Sequence, residues 1–190
     1  MAKHIIFSDS IIVEYLTDDL LKKEIYNYLQ DCEEKKLNVI KSNQGGFQTP
    51  HIYNKEICNI FLKKCFTMLS KHYKVLNCQL NLESFWINKN MKNNFNTPHV
   101  HPGSNFSAVY YLQTSDKDGE LNFFRNDKSI DFGPNQNLFN DSDFWNNFKL
   151  KPKDNMFVLF PSYLQHMVFP HNEDKSRISL SFNININKNG

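Results

Sequence analysis

The chain has 190 residues, 40% of them hydrophobic and 17 of them Phe, which is enough for one domain with a real core and excludes a disordered chain. The formal net charge of +2 implies no strongly charged partner, so bulk charge gives no argument for nucleic acid. No apolar run approaches the ~20 residues that span a bilayer. The N-terminus, Met1-Ala2-Lys3-His4-Ile5-Ile6-Phe7, is too short for a signal peptide before it meets Asp9, so a cytoplasmic protein is expected.

Taken in chain order, the first predicted element is a helix. Thr17 with Asp18 and Asp19 forms its start, with acids in the first turn. Leu20, Leu21, Ile25, Tyr28, Leu29 and Cys32 then recur at helical spacing. The stretch Ser42-Asn43-Gln44-Gly45-Gly46 is rich in turn formers. A second helix is expected from about Asn54 to Tyr73, with Ile57, Phe61, Cys65, Met68 and Leu69 on one face. Cys32, Cys58, Cys65 and Cys78 make no CxxC pair and read as free thiols of a reducing compartment, with a Cys-metal site as the alternative.

From Leu76 the period changes to two: Leu76, Cys78, Leu80 and Leu82 alternate with polar residues. Further strands are predicted over Thr97–His101, Ser107–Gln113, Glu120–Phe124, Met156–Phe160, Tyr163–Phe169 and Arg177–Asn185, with turn-rich segments between them. Residues 130–153 show no period and read as an insertion or loop over one end of a barrel. The expected fold is α+β, mainly β. Residues 1–75 form a mainly helical part packed on one sheet, and residues 76–190 form a sandwich or barrel of the jelly-roll type. The exposed strand edges of such a fold leave a homodimer open.

The most informative stretch is Pro98-His99-Val100-His101-Pro102-Gly103. Histidines at i and i+2 on a strand point to one side, so both imidazoles can reach one ion. His166, distant in sequence, would complete a facial set that leaves coordination positions open. His-x-His on a strand is also often a pair of surface residues. His4, His51, His72 and His171 have no partner pattern and read as surface or structural. Eleven residues after His166, the strand Arg177-Ile178-Ser179-Leu180-Ser181-Phe182-Asn183 alternates cleanly. Ile178, Leu180 and Phe182 face an apolar layer, and Arg177, Ser179 and Ser181 face the other side. If that side is a barrel interior, a buried Arg is costly unless it meets an anion. Its fork matches a carboxylate, so Arg177 with Ser179 or Ser181 makes a dicarboxylate clamp; a solvated strand Arg is the alternative.

This order of motifs resembles the Fe(II)/2-oxoglutarate oxygenase superfamily, especially its prolyl-hydroxylase-like branch. The residues that carry the resemblance are His99-Val100-His101, Val109-Tyr110-Tyr111-Leu112-Gln113, Asp118-Gly119-Glu120-Leu121, His166 and Arg177, and they cover about Leu82 to Asn185. An oxygenase subfamily with a His-x-His motif is closer still, through His99-Val100-His101-Pro102-Gly103-Ser104, Ser107-Ala108-Val109-Tyr110-Tyr111, Phe160-Pro161-Ser162 and Arg177-Ile178-Ser179-Leu180-Ser181-Phe182-Asn183. The resemblance implies a double-stranded β-helix, Fe(II) held by His99, His101 and His166, and 2-oxoglutarate and O2 as co-substrates. It implies hydroxylation with release of succinate and CO2. By the same resemblance Tyr111 joins Arg177 on the 2-oxoglutarate carboxylate, Ser179 or Ser181 assists, and Tyr110 turns into packing. Trp86, Asn88 and Asn105 are placed by it on the substrate side.

One position departs from the family. Its second ligand is usually a carboxylate, and His101 stands there, one negative charge short of the 2-His-1-carboxylate triad. Asp116, Asp118 or Asp127 could substitute only from the wrong spacing. The departure keeps two rivals open: a three-His cupin-type dioxygenase without 2-oxoglutarate, and a non-catalytic jelly-roll binding module. Nucleic-acid demethylation is disfavoured, because alkylation-repair members carry a second Arg where this chain has Asn183. The substrate, peptidyl or small-molecule, is not encoded in any readable motif.

Overall fold

The computed structural model describes residues 9–74, 78–125 and 146–188. The first eight residues, Leu76, Asp127 and residues 130–145 of the expected insertion lie outside the described residues.

Both helices form where sequence places them, because each has a side chain that satisfies its orphan amides. Helix α1 is Asp19–Glu34, and its N-cap is Asp18 rather than Thr17; the Asp18 carboxylate accepts from the Leu21 amide at 2.9 Å. Helix α2 is Lys55–His72, capped by Asn54, whose Oδ1 accepts from the Glu56 and Ile57 amides. The buried stripe of α2 is the expected one, Ile57, Phe61, Cys65, Met68 and Leu69. On α1, Leu21, Ile25, Leu29 and Cys32 are buried, but Leu20 is 79% exposed and does not belong to the stripe.

Among the described residues, eleven strands form two antiparallel sheets. In chain order they are β1 (Ile12–Tyr15), β2 (Asn43–Gln44), β3 (Phe47–Gln48), β4 (Cys78–Asn90), β5 (Phe95–His99), β6 (Phe106–Gln113), β7 (Leu121–Phe124), β8 (Asn147–Leu150), β9 (Met156–Pro161), β10 (His166–Val168) and β11 (Arg177–Lys188). The major sheet runs β1-β9-β6-β11-β4-β3 and the minor sheet β2-β5-β10-β7-β8. Gly45 and Gly46, at φ 68° and 73°, carry the chain from one sheet to the other through a backbone conformation that side chains disfavour. This is the jelly-roll architecture expected, a double-stranded β-helix with both helices on the outer face of the major sheet.

Four details correct the sequence reading. Strand β5 ends at His99, so His101 lies just beyond it, tied by its amide to the Ser162 carbonyl. Only His166–Val168 of the predicted Tyr163–Phe169 run is strand; the Leu164 amide closes a turn onto the Pro161 carbonyl instead. The part of the expected insertion that is described contains β8, which pairs with β7 at the sheet edge. The mainly helical N-terminal part also contributes β1, β2 and β3.

The main core lies between the helices and the major sheet. Phe61 of α2 is its hub, with ring centroids 5.5 Å from Phe85, Tyr110 and Phe182 and 5.8 Å from Phe157. Its partners come from four different strands, β4, β6, β9 and β11. Tyr110 is fully buried there, as expected, and donates to the Leu16 carbonyl. Phe61→Ala removes the ring on which all four strands pack and is expected to cost about 3–5 kcal/mol. The urea midpoint of the variant measures it; a loss under about 1 kcal/mol would mean the core closes without the ring.

Candidate metal centre

The site is built by strand parity. Strand β11 pairs with β4 on one side and β6 on the other, and successive side chains alternate between the two faces. Ile178, Leu180, Phe182 and Ile184 enter the core under the helices. Arg177, Ser179, Ser181 and Asn183 face the space between the sheets. Two bulges bring the neighbouring strands into phase. Asn183 pairs with Ser84 and Ile184 with Leu82, so Glu83 is the extra residue, and β4 changes parity there. Leu80 and Leu82 pack towards the core before the bulge, and Phe85 and Ile87 after it. The result turns Trp86, Asn88 and Asn90 inward. On β6, Leu112 is the extra residue between Tyr111, opposite Ser179, and Gln113, opposite Ile178.

Between the sheets is a cavity of about 560 Å³, counting its solvent-filled mouth. His99, His101, His166, Tyr111, Arg177, Ser179 and Ser181 all line it, so every expected site residue meets in one place. Trp86 and Asn88 also line it; Asn105 does not, and bonds instead to Ile186 and Asn185 near the end of β11.

The three imidazoles converge. One ligand atom from each lies within 4.8 Å of the others, and the ring centroids are 4.3–5.1 Å apart. His166 of β10 is directly opposite His99 of β5. The His99 Nδ1 contacts the Thr97 carbonyl at 2.7 Å and the His166 Nδ1 contacts the Leu164 carbonyl at 2.9 Å. A carbonyl only accepts, so both rings carry the proton on Nδ1 and present Nε2 as a lone pair. Burial lowers all three pKa values, that of His101 to about 4 and that of His166 to about 3, with the neighbouring imidazoles adding repulsion in both. Three neutral, convergent rings, two of them held by main-chain carbonyls, suit a transition metal. Among the described residues no carboxylate joins this group. Asp118 is committed elsewhere, to the buried His171 at 2.7 Å and to Ser115. His171 thereby takes a structural role, also bonding the Lys175 carbonyl through Nε2.

Arg177 is 2% exposed. Its Nη1 donates to the Gly119 carbonyl at 2.9 Å, and among the described residues no acid lies within ion-pair distance of it. Glycine at 119 is required by the backbone that passes beside it, since a Cβ there would collide with the Phe169 and Pro170 carbonyls. Burial lowers the Arg177 pKa, opposed by Tyr111 and Asp118, and a guanidinium stays charged even so. Burial pushes the Tyr111 phenol up to about 12 against the pull of Arg177, so it is a neutral donor. Asn88 Oδ1 is buried without a partner among the described residues. A buried cation with most of its five donors unused, a phenol donor and serine hydroxyls fit a carboxylate ligand beside a metal, whereas the Asn88 oxygen, an acceptor whose own NH2 donates to Ser181, fits a donor group instead.

A two-sheet β-helix with such a centre defines a class, the jelly-roll metalloenzymes. The comparisons narrow it. The family model described as "Putative 2OG-Fe(II) oxygenase" matches residues 84–183, just over half of the chain. The chain belongs to this family, and is an oxidoreductase that uses Fe(II), 2-oxoglutarate and O2. No curated protein sequence matches it. Among solved structures, a Pseudomonas putida prolyl-4-hydroxylase is similar at 18% identity and TM-score 0.62, covering 96% of this chain and 95% of that one. A Trichoplax adhaerens prolyl hydroxylase, solved with a peptide of hypoxia inducible factor, is similar at 13% and 0.61, covering 93% and 84%. HygX from Streptomyces hygroscopicus, solved with nickel and 2-oxoglutarate, is similar at 13% and 0.61, covering 93% and 83%. At these identities the likeness carries the fold. Family membership favours the oxygenase over the 2-oxoglutarate-independent dioxygenase and the non-catalytic module.

The depressed imidazoles give the metal-free protein a pH dependence. They stay neutral in the folded chain where the unfolded chain's histidines, near 6.5, take up protons. Stability is therefore full above about 6.5 and falls as pH drops from there towards about 4 and about 3. The urea midpoint is expected to fall between about pH 7 and about pH 5, less steeply in His166→Gln. Equal slopes in the two proteins would contradict this.

Proposed function

We propose that His99, His101 and His166 hold the Fe(II) through Nε2, and that Arg177 with Tyr111 grips the distal carboxylate of 2-oxoglutarate, assisted by Ser179 and Ser181. The chain is then a hydroxylase organised as one domain. The observation that supports this most is the buried Arg177 guanidinium, in the same cavity as the imidazoles and with a single carbonyl partner among the described residues. A desolvated cation of this kind is tolerable when an anion completes it.

When bound, the iron centre supplies O2 activation coupled to decarboxylation of 2-oxoglutarate to succinate and CO2. The protein's own part is binding and orientation. Arg177 offers a planar fork that fixes both carboxylate oxygens at once. The Tyr111 hydroxyl donates a third hydrogen bond, and Ser179, opposite Tyr111 on the paired strand, lies in the same cross-strand row. The Thr97 and Leu164 carbonyls keep His99 and His166 from turning. Trp86, with its ring 5.9 Å from that of His101, walls the cavity beside the centre. The substrate is a peptidyl side chain or a small molecule. The four cysteines are all free thiols, in keeping with a reducing cytoplasm.

Arg177→Ala is expected to raise the KM for 2-oxoglutarate in succinate formation by about 30-fold or more, since one partner of a buried charge pair is worth about 2–5 kcal/mol. Arg177→Lys keeps the charge but loses the fork and is expected to fall between it and wild type. An unchanged KM in both variants would remove the clamp from this site.

A further inference from the structure

Two of the three imidazoles are oriented by main-chain carbonyls, and the third is not. His99 and His166 each direct Nδ1 at the carbonyl two residues earlier. The only ring-nitrogen partner of His101 among the described residues is Asn183, whose Nδ2 lies 3.5 Å from the His101 Nδ1. A ligand ring whose second nitrogen is unheld can rotate or carry its proton on the wrong side, so whatever sits there matters.

Asn183 is itself held on both sides. It pairs with Ser84 of β4 and Ser107 of β6, in the row next to the β4 bulge. Its Nδ2 donates to the Ser84 Oγ at 2.9 Å, and its Oδ1 accepts from the Ser107 Oγ at 2.8 Å. The Ser107 Oγ in turn lies 2.8 Å from the Ser162 Oγ, and the Ser162 carbonyl accepts from the His101 amide. The connections close a ring from the His101 imidazole through Asn183, Ser107 and Ser162 back to the His101 backbone. Ser107 and Ser162 are fully buried and Asn183 nearly so. The structure turns the NH2 end of Asn183 towards His101. Amide oxygen and nitrogen are interchangeable by a half-turn, and hydroxyls both donate and accept, so the Ser84 and Ser107 bonds are equally satisfied with the amide turned over. Only with the amide oxygen towards His101 does Nδ1 keep its proton and Nε2 its lone pair.

We propose that Asn183 is a positioning residue for His101, its amide oxygen accepting from the Nδ1–H and so keeping Nε2 free for the metal. The usual carboxylate at this place in the family needs no such partner, because it has no second ring nitrogen to fix. A histidine there needs an acceptor, and β11 supplies one two positions beyond Ser181. This inference rests on the three-histidine reading above, and the test separates the two.

Co(II) is titrated into the metal-free full chain and followed by visible absorption, for wild type, His101→Ala, Asn183→Leu and Asn183→Asp. Asn183→Leu is expected to weaken Co(II) by about 10- to 100-fold, the usual cost of losing a partner that orients a ligand. Asn183→Asp, an acceptor in either orientation, is expected to restore binding to within a few-fold of wild type. Wild-type affinity in Asn183→Leu alongside weakened binding in His101→Ala overturns the role of Asn183 alone. Wild-type affinity in His101→Ala overturns the three-histidine centre and this inference with it. Nitrogen-15 spectra of the histidine rings in the metal-free protein give a second readout that needs no variant to fold. They are expected to show His101 as the Nδ1–H tautomer, and an Nε2–H tautomer in wild type overturns the proposal.

Discussion

Everything at the centre of this molecule depends on the alternation of one strand. β11 is hydrogen-bonded along both edges, so its side chains have only two directions to take. One direction packs Ile178, Leu180, Phe182 and Ile184 against the helices. The other hands Arg177, Ser179, Ser181 and Asn183 to the cavity. A slip by one residue would send the guanidinium into the Phe61 cluster and the apolar residues into the site. The hydrophobic core and the polar site therefore enforce the same register.

The electrostatics of the cavity follow from what it lacks. In the proposed centre three neutral imidazoles would leave the full charge of a divalent ion uncompensated, and Arg177 adds another positive charge behind it. The walls nearest these groups are uncharged: Trp86, Asn88, Ser179 and Ser181. A site of that sign, partly withdrawn from water, favours a doubly negative ligand more than a site carrying its own carboxylate does. In the proposed centre, a histidine at 101 in place of an acid would shift work from the first ring of ligands to the co-substrate and to the groups that orient the rings.

Much of this was legible in the sequence because it depends on short periods. The helix stripe from Ile57 to Leu69, the alternation from Arg177 to Asn183, and the His-x-His pair each carry their geometry within a few residues. What was not legible depends on contacts distant in sequence. The parity change in β4 is set by pairing with β11 a hundred residues away, so the alternation that begins near Leu76 gave no sign that Glu83 bulges. Strand β8 has three of its four residues exposed, and its alternation, Phe148 and Leu150 against Asn147 and Lys149, is too short to stand out from the aperiodic stretch around it. Leu20 sits at a helical spacing from buried residues yet faces water, since periodicity cannot say how wide the covered stripe is. Asn183 was noticed for the arginine it replaces; its link to His101 needed three strands and a turn brought together.

The position of β11 within the major sheet has a consequence for how the chain folds. The strand that fills the gap between β4 and β6 follows every other described strand in the chain, and its contacts with β4 join residues as far apart as Cys78 and Lys188. Until that segment docks, two long strands expose unpaired edges and the helices have only part of a surface to cover. Such non-local pairing is slow and prone to association between chains. A chain in which β11 has yet to dock is therefore the form most open to pairing with a second copy through the free edges of β4 and β6.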